Sequence, residues 1–149
     1  RNFIMAKKIA SRTAQWPLVA EFTFSFNDTM VDKDGALKDF KTVGTSFVGD
    51  VIPLPSGATI LSGSVVTNTA VTGSTAYNIS IGDSGSATRY LGATDKVSAG
   101  LTALVPTGHV GAGENLRLTV VAADVCTTGK ATVRIQYITT GRSNEVNPN

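Results

Sequence analysis

The chain has 149 residues and 15.4 kDa, with 13 basic against 11 acidic side chains and a net charge of +2, so a single domain is expected, with no room for a second catalytic domain or a large cofactor fold. Charged residues make up only 16% and apolar residues 42%, with 15 glycines and about a fifth Ser plus Thr. An ordinary domain is about a quarter charged, and this shortage of charge suits short strands and turns while excluding a helical bundle, a coiled coil and a disordered chain.

In chain order, the first segment is basic. Arg1, Lys7, Lys8 and Arg12 precede any acid, and Phe3, Ile4, Ile9 and Trp16 are interspersed without a helical or alternating period before Pro17. Residues 1–18 therefore read as an extended N-terminal arm, with Met5 a candidate start. From residue 19 the apolar period becomes two, which places alternate side chains on opposite faces of a strand. Phe22, Phe24 and Phe26 share one face. Residues 27–40 are crowded with Asp28, Asp32, Lys33, Asp34, Lys38 and Asp39, and are expected to form a loop with one helical turn over Ala36–Phe40.

Further strands are predicted over Ser46–Ile52, Thr59–Asn68, Tyr77–Ile81, Arg89–Leu91, Leu101–Val105 and Leu116–Val120, and the last has Ala131, Val133, Ile135 and Tyr137 on one face after a turn at Thr128-Gly129-Lys130. Turns rich in Pro, Gly, Ser and Asp separate them, at residues 53–57, 72–74, 82–85, 106–108 and 111–113. The pattern predicts an all-β, antiparallel, jelly-roll-like sandwich over residues 19–142, preceded by the arm and followed by a tail over 143–149.

Few residues offer chemistry. Cys126 and His109 are the only members of their types, so there is no intrachain disulfide or cysteine-based zinc site. The apolar runs are far too short for a membrane-spanning helix and no signal-peptide stretch is present, so the chain is expected to be soluble and to fold in a cytoplasm. Gly82-Asp83-Ser84-Gly85 resembles the tetrad around a serine-protease nucleophile, but that family places its histidine before the serine, whereas His109 follows it. A strand-connecting turn is the stronger reading, with Asp83 bonding backbone amides.

The carboxylates of residues 28–34 lack the spacing of a calcium loop, and those at Asp50, Asp83, Asp95, Glu114 and Asp124 fall near strand ends, where acids meet water. His109 reads as a loop residue without a partner, and Cys126 as a small buried hydrophobe. Outside the arm the chain is mildly acidic, with no aromatic residues interleaved with basic ones, which argues against nucleic acid as a partner. No cofactor, metal, membrane or small-molecule substrate is expected, and no catalytic residue is assigned.

Three stretches carry a resemblance: Gly82-Asp83-Ser84-Gly85-Ser86-Ala87-Thr88-Arg89-Tyr90-Leu91, Leu101-Thr102-Ala103-Leu104-Val105-Pro106-Thr107-Gly108, and Val133 to Glu145. Pro53-Leu54-Pro55-Ser56-Gly57-Ala58 adds a fourth. Together they resemble a family of head decoration or cement proteins of tailed bacteriophages, over roughly residues 45–146. The resemblance implies a jelly-roll-like domain on the outer face of an icosahedral capsid, assembled in the host cytoplasm. Its implied partners are the major capsid protein and other copies of itself, as dimers or trimers. The capsid-contact candidates are then Arg1, Lys7, Lys8 and Arg12 against acidic surface and Phe3, Ile4, Ile9 and Trp16 in apolar grooves. The alternative is a receptor- or glycan-binding sandwich, which would present exposed aromatics from among Trp16, Tyr77, Tyr90 and Tyr137.

Overall fold

A computed structural model describes residues 16–139 of the chain. Among these residues all regular structure is strand: β1 (Leu18–Ser25), β2 (Thr29–Val31), β3 (Leu37–Asp39), β4 (Gly44–Ile52), β5 (Ala58–Thr72), β6 (Tyr77–Gly82), β7 (Leu91–Asp95), β8 (Gly100–Ala103), β9 (Leu116–Ala122) and β10 (Thr128–Thr139). Two four-stranded sheets form, in the orders β1-β10-β5-β8 and β4-β9-β6-β7, with β2 and β3 pairing as a separate hairpin. Every strand pairing is antiparallel. With the hairpin set aside, the eight sheet strands run 1-8-3-6 and 2-7-4-5, the interleaved order of a jelly roll.

The alternation predicted from sequence is the burial observed. In β9, Leu116, Leu118, Val120 and Ala122 are buried while Arg117, Thr119 and Val121 are half-buried on the outer side. Ile79 and Ile81 of β6 and Val133 and Ile135 of β10 complete the two inner faces. Tyr77 is buried with them, and its hydroxyl donates to the Phe40 carbonyl at 2.7 Å. Burial pushes the Tyr77 phenol up, so it remains a neutral donor.

The helical turn expected over Ala36–Phe40 is instead strand β3 of the hairpin. The reversal is made by Asp32, whose Oδ1 accepts the Asp34 and Ala36 amides at 2.9 Å each, and by Gly35 at φ +84°. A side-chain carboxylate that bonds amides two and four residues on closes a tight turn and leaves no continuing helical ladder. The hairpin then does two things. The Lys33 amide donates to the Val48 carbonyl of β4 at 2.9 Å, which blunts a free sheet edge. The residue after β3 also delivers its side chain into the core, where the Phe40 ring lies 4.5 Å from Phe24 of one sheet and 4.8 Å from Phe47 of the other.

Several expected boundaries move. Thr128-Gly129-Lys130 is not a turn but the start of β10, at a register irregularity against β5. The turn falls just before it, where the Thr72 hydroxyl meets those of Thr127 and Thr128 at 3.0 and 2.6 Å. The strand expected over Arg89–Leu91 begins at Leu91 and runs to Asp95, because Arg89 is held back in the preceding turn by Asp83. β5 continues past Asn68 to Thr72. A bulge against β10 between Ile60 and Ser62 moves its buried residues from Ala58 and Ile60 to Val65 and Thr67, and further irregularities follow Thr67.

Candidate interaction surface

The Gly82-Asp83-Ser84-Gly85 tetrad is a turn. Asp83 is 4% exposed, and its Oδ1 accepts the Gly85 and Ser86 amides at 2.9 Å each while Oδ2 accepts Arg89 Nε at 2.6 Å. Burial by itself would raise the Asp83 pKa, but the Arg89 guanidinium and the two amides outweigh it and hold the carboxyl below its ordinary value. Ser84 is exposed on the outside of this turn.

His109 is not the partnerless loop residue expected. Its Nε2 lies 3.8 Å from Asp83 Oδ2 and 3.7 Å from Glu114 Oε1, shielded from solvent and without a hydrogen bond. Sequence reasoning missed this grouping because 26 and 5 residues separate His109 from the two acids, and only the meeting of two loops brings them together. The box holding His109, Asp83, Glu114 and Tyr90 encloses only about 10 Å³, about one water at most and not a substrate. Cys126 is buried, as expected.

The acids near strand ends bond the amides of neighbouring segments. Asp95 accepts the Tyr77 amide at 3.0 Å, Asp124 the Thr75 amide at 3.2 Å, and Glu114 the Ala112 amide at 2.6 Å. Hydrogen bonds from its own amide and that of Ala112 hold Glu114 below the ordinary carboxylate range. Asp50 pairs with Arg117 at 2.9 Å and Glu21 with Arg134 at 2.7 Å, each ion pair lying on the outer face of its sheet.

Because the Asp83 pKa is depressed by folding, its stabilisation is present above the unfolded carboxylate value and is lost as pH falls through the folded value. Asp83→Asn keeps an oxygen for the amides but strands Arg89. We expect it to lower the thermal midpoint at about pH 7, with the gap from wild type closing as pH falls through and below the ordinary carboxylate range. Thermal melts across that range check this, and a gap that stays constant would contradict it.

The sandwich has two unlike ends. At one end segments 53–57, 83–90 and 104–115 are tied together: the Leu54 amide donates to Asn115 Oδ1 at 3.2 Å, Gly57 to the Gly111 carbonyl at 2.7 Å, and Val105 to the Tyr90 carbonyl at 2.8 Å. Every exposed residue of these three segments is uncharged; Arg89, His109 and Glu114 are half-buried and turned toward Asp83 or their own loop. At the other end the hairpin and segments 73–76, 96–99 and 123–127 meet, with the Cys126 amide on the Lys41 carbonyl at 3.1 Å. There Asp28, Lys33, Asp34, Lys38, Asp124 and Lys130 are all exposed.

The described chain both enters and leaves at the uncharged end. Leu18 pairs with Tyr137, and Thr139 with Ala58, which adjoins Gly111. Of the contact candidates, Arg1, Phe3, Ile4, Lys7, Lys8, Ile9 and Arg12 lie outside the described residues. Trp16 lies within them and is 85% exposed beside this end. Tyr77 and Tyr90 are buried and Tyr137 packs against the core, so none of the three offers an aromatic platform for a sugar.

No protein-family model matches the chain, and no curated protein matches it. Solved structures do. The chain is similar to a chain of the cyanophage Pam1 capsid asymmetric unit, at 20% identity and a TM-score of 0.58, over 92% of this chain and 96% of that one. It is similar to a chain of the acid-stable capsid of Helicobacter pylori bacteriophage KHP30, at 16% identity and 0.56, over 83% and 87%. A chain of the Ralstonia phage GP4 capsid matches at 12% identity and 0.55, over 91% of each. At such identities the likeness establishes a shared fold.

Proposed function

We propose that this chain is a virion structural protein: a capsid decoration or cement protein that binds the outer face of an icosahedral phage head and reinforces contacts between major capsid proteins. The observation that carries the reading is the near end-to-end match with a chain of a phage capsid, which covers 92% of this chain and 96% of the other. The cramped space around His109, about 10 Å³, and the short, mostly uncharged side chains of the surface support work by contact rather than by chemistry.

The mechanism is mechanical. A rigid sandwich seats on the shell, and the basic leader extends along its neighbours. Arg1, Lys7, Lys8 and Arg12 meet acidic capsid surface, while Phe3, Ile4, Ile9 and Trp16 enter apolar grooves. Ordering such a segment lowers affinity per unit area but adds area without a larger body.

Deleting residues 1–15 spares every described strand. We expect the shortened chain to melt as the full chain does and to decorate phage shells assembled without this protein at least about tenfold more weakly, as read by sedimentation of shells with bound chain. Full occupancy by the shortened chain would remove the arm from the mechanism. A full-length chain that ignores such shells would remove the decoration role itself.

A further inference from the structure

We propose that the protein stands end-on: segments 53–57, 83–90 and 104–115 are the foot that docks on the shell, and the opposite end, from which the β2–β3 hairpin folds back along β4, faces solvent. This rests on the decoration reading and adds the docking surface and orientation. The occupant of the foot is a protein surface that is itself uncharged where it meets the loops.

Charge is the first argument. Interface centres are depleted of charged residues, because an ion stripped of water without a partner is strongly unfavourable. The foot exposes Pro55, Ala87, Thr88, Val105, Thr107 and Val110, and its ionisable groups already face one another. Covering it leaves no charge stranded. The hairpin also exposes one apolar cross-strand pair, Val31 at 54% opposite Leu37 at 68%, but Asp28, Lys33, Asp34 and Lys38 surround it. Covering that end would desolvate all four of these charges. The outer face of the β1-β10-β5-β8 sheet is intermediate, since it carries the half-exposed Glu21–Arg134 pair.

Where the chain leaves the described body is the second argument. Fifteen residues precede Trp16 and ten follow Thr139, and both segments depart from the foot. Four strands about 4.8 Å apart in each of two sheets about 10 Å apart, with their loops, give an end of roughly 20 by 20 Å. That buries about 800 Å² counting both partners, short of the roughly 1,200 Å² at which specific interfaces begin. A leader that starts at the foot can supply the difference along the same surface. From the hairpin end it would first have to cross the length of the sandwich.

Rigidity is the third. The three loops are bonded to one another through backbone groups and Asn115, so little ordering entropy remains to be lost on docking.

The test is hydrogen exchange on the full chain, free and bound to shells assembled without it, paired with two double variants. The expected result is slowed exchange in residues 83–90 and 104–115 with residues 27–39 unchanged. Ala87→Glu with Thr107→Glu should lower shell occupancy at least about tenfold with an unaltered thermal midpoint, while Asp34→Ser with Lys38→Ser should stay within about twofold of wild type. Protection of the hairpin, or of the β1-β10-β5-β8 outer face in place of the foot, overturns the inference even if the charged variant fails to fold. So does normal decoration by that variant. Wild-type chain that does not bind the shells overturns the decoration reading and this inference with it, whereas binding with a protected hairpin overturns the orientation alone.

Discussion

Phe40→Ala is expected to lower the unfolding free energy by about 3–5 kcal/mol, near the upper end for a single core truncation. Phe40 is 1% exposed, and its ring is the third of four in a row that starts at Phe22 and Phe24 on one sheet and ends at Phe47 on the other. Removing it opens a void between the sheets that neither rigid strand layer can close, so the loss combines transfer free energy with a cavity. The same residue anchors the hairpin. Its carbonyl accepts the Tyr77 hydroxyl, and once the ring no longer fixes that backbone the buried phenol risks losing its partner as well.

For a domain of this size each kcal/mol shifts the melting point by about 2–4 °C, so a fall of roughly 10 °C is the expected reading in a thermal melt. Phe40→Leu, which fills most of the volume, should lose less than half as much. A loss below about 1 kcal/mol for the alanine variant would mean that the hairpin does not lock the two sheets together.

The second large effect is expected at Gly82, for a reason that has nothing to do with backbone dihedral freedom. Gly82 ends β6, and the following turn folds back so closely that a Cβ there would overlap the Ser86 carbonyl oxygen and the Ala87 carbonyl carbon. Both obstacles are backbone and cannot rotate away. Gly82→Ala must therefore lift the turn from the sheet, pulling against the Asp83 amide bond to Ser86, the Tyr90 amide bond to Ile81 and the Asp83–Arg89 pair.

Overpacking against fixed backbone sets the loss at about 3 kcal/mol or more. Gly92 is the matched control: it lies in β7, a methyl group added to its Cα would meet nothing within 4 Å, and its φ is not positive. Gly92→Ala should therefore fall within about 0.5 kcal/mol of wild type. Equilibrium urea unfolding of the pair decides the matter. Equal stabilities would show that the turn over Gly82 is loosely seated, which would also weaken the case for a preformed foot.

Much of the fold was legible in the chain because period-two burial is a local consequence of strand geometry. Leu116 to Val120 and Ala131 to Ile135 announce their inner faces residue by residue, and the structure buries those residues. The turn at Asp83 was legible for a similar reason, as a short acid followed closely by glycine bonds its own backbone. Legibility ended where parity breaks or where stability comes from afar. β5 faded from view at Asn68 because two register irregularities against β10 fall between Thr67 and Thr72 and leave Asn68, Thr69 and Ala70 all exposed. The hairpin strands are three residues each, too short to show a period, and they persist because Phe40 is buried between Phe24 of one sheet and Phe47 of the other.

By itself, then, the sequence determined the class of the molecule: an all-β domain poor in charge, with basic residues concentrated in its first twelve positions. Those properties depend on composition and on alternation between neighbours, which are local. Only the tertiary structure decided which loops share an end, that His109 lies between Asp83 and Glu114, and that most of the exposed charges lie away from the point where the described chain enters and leaves. Jelly-roll connectivity brings together segments tens of residues apart, and that pairing is settled by long-range burial rather than by any local pattern.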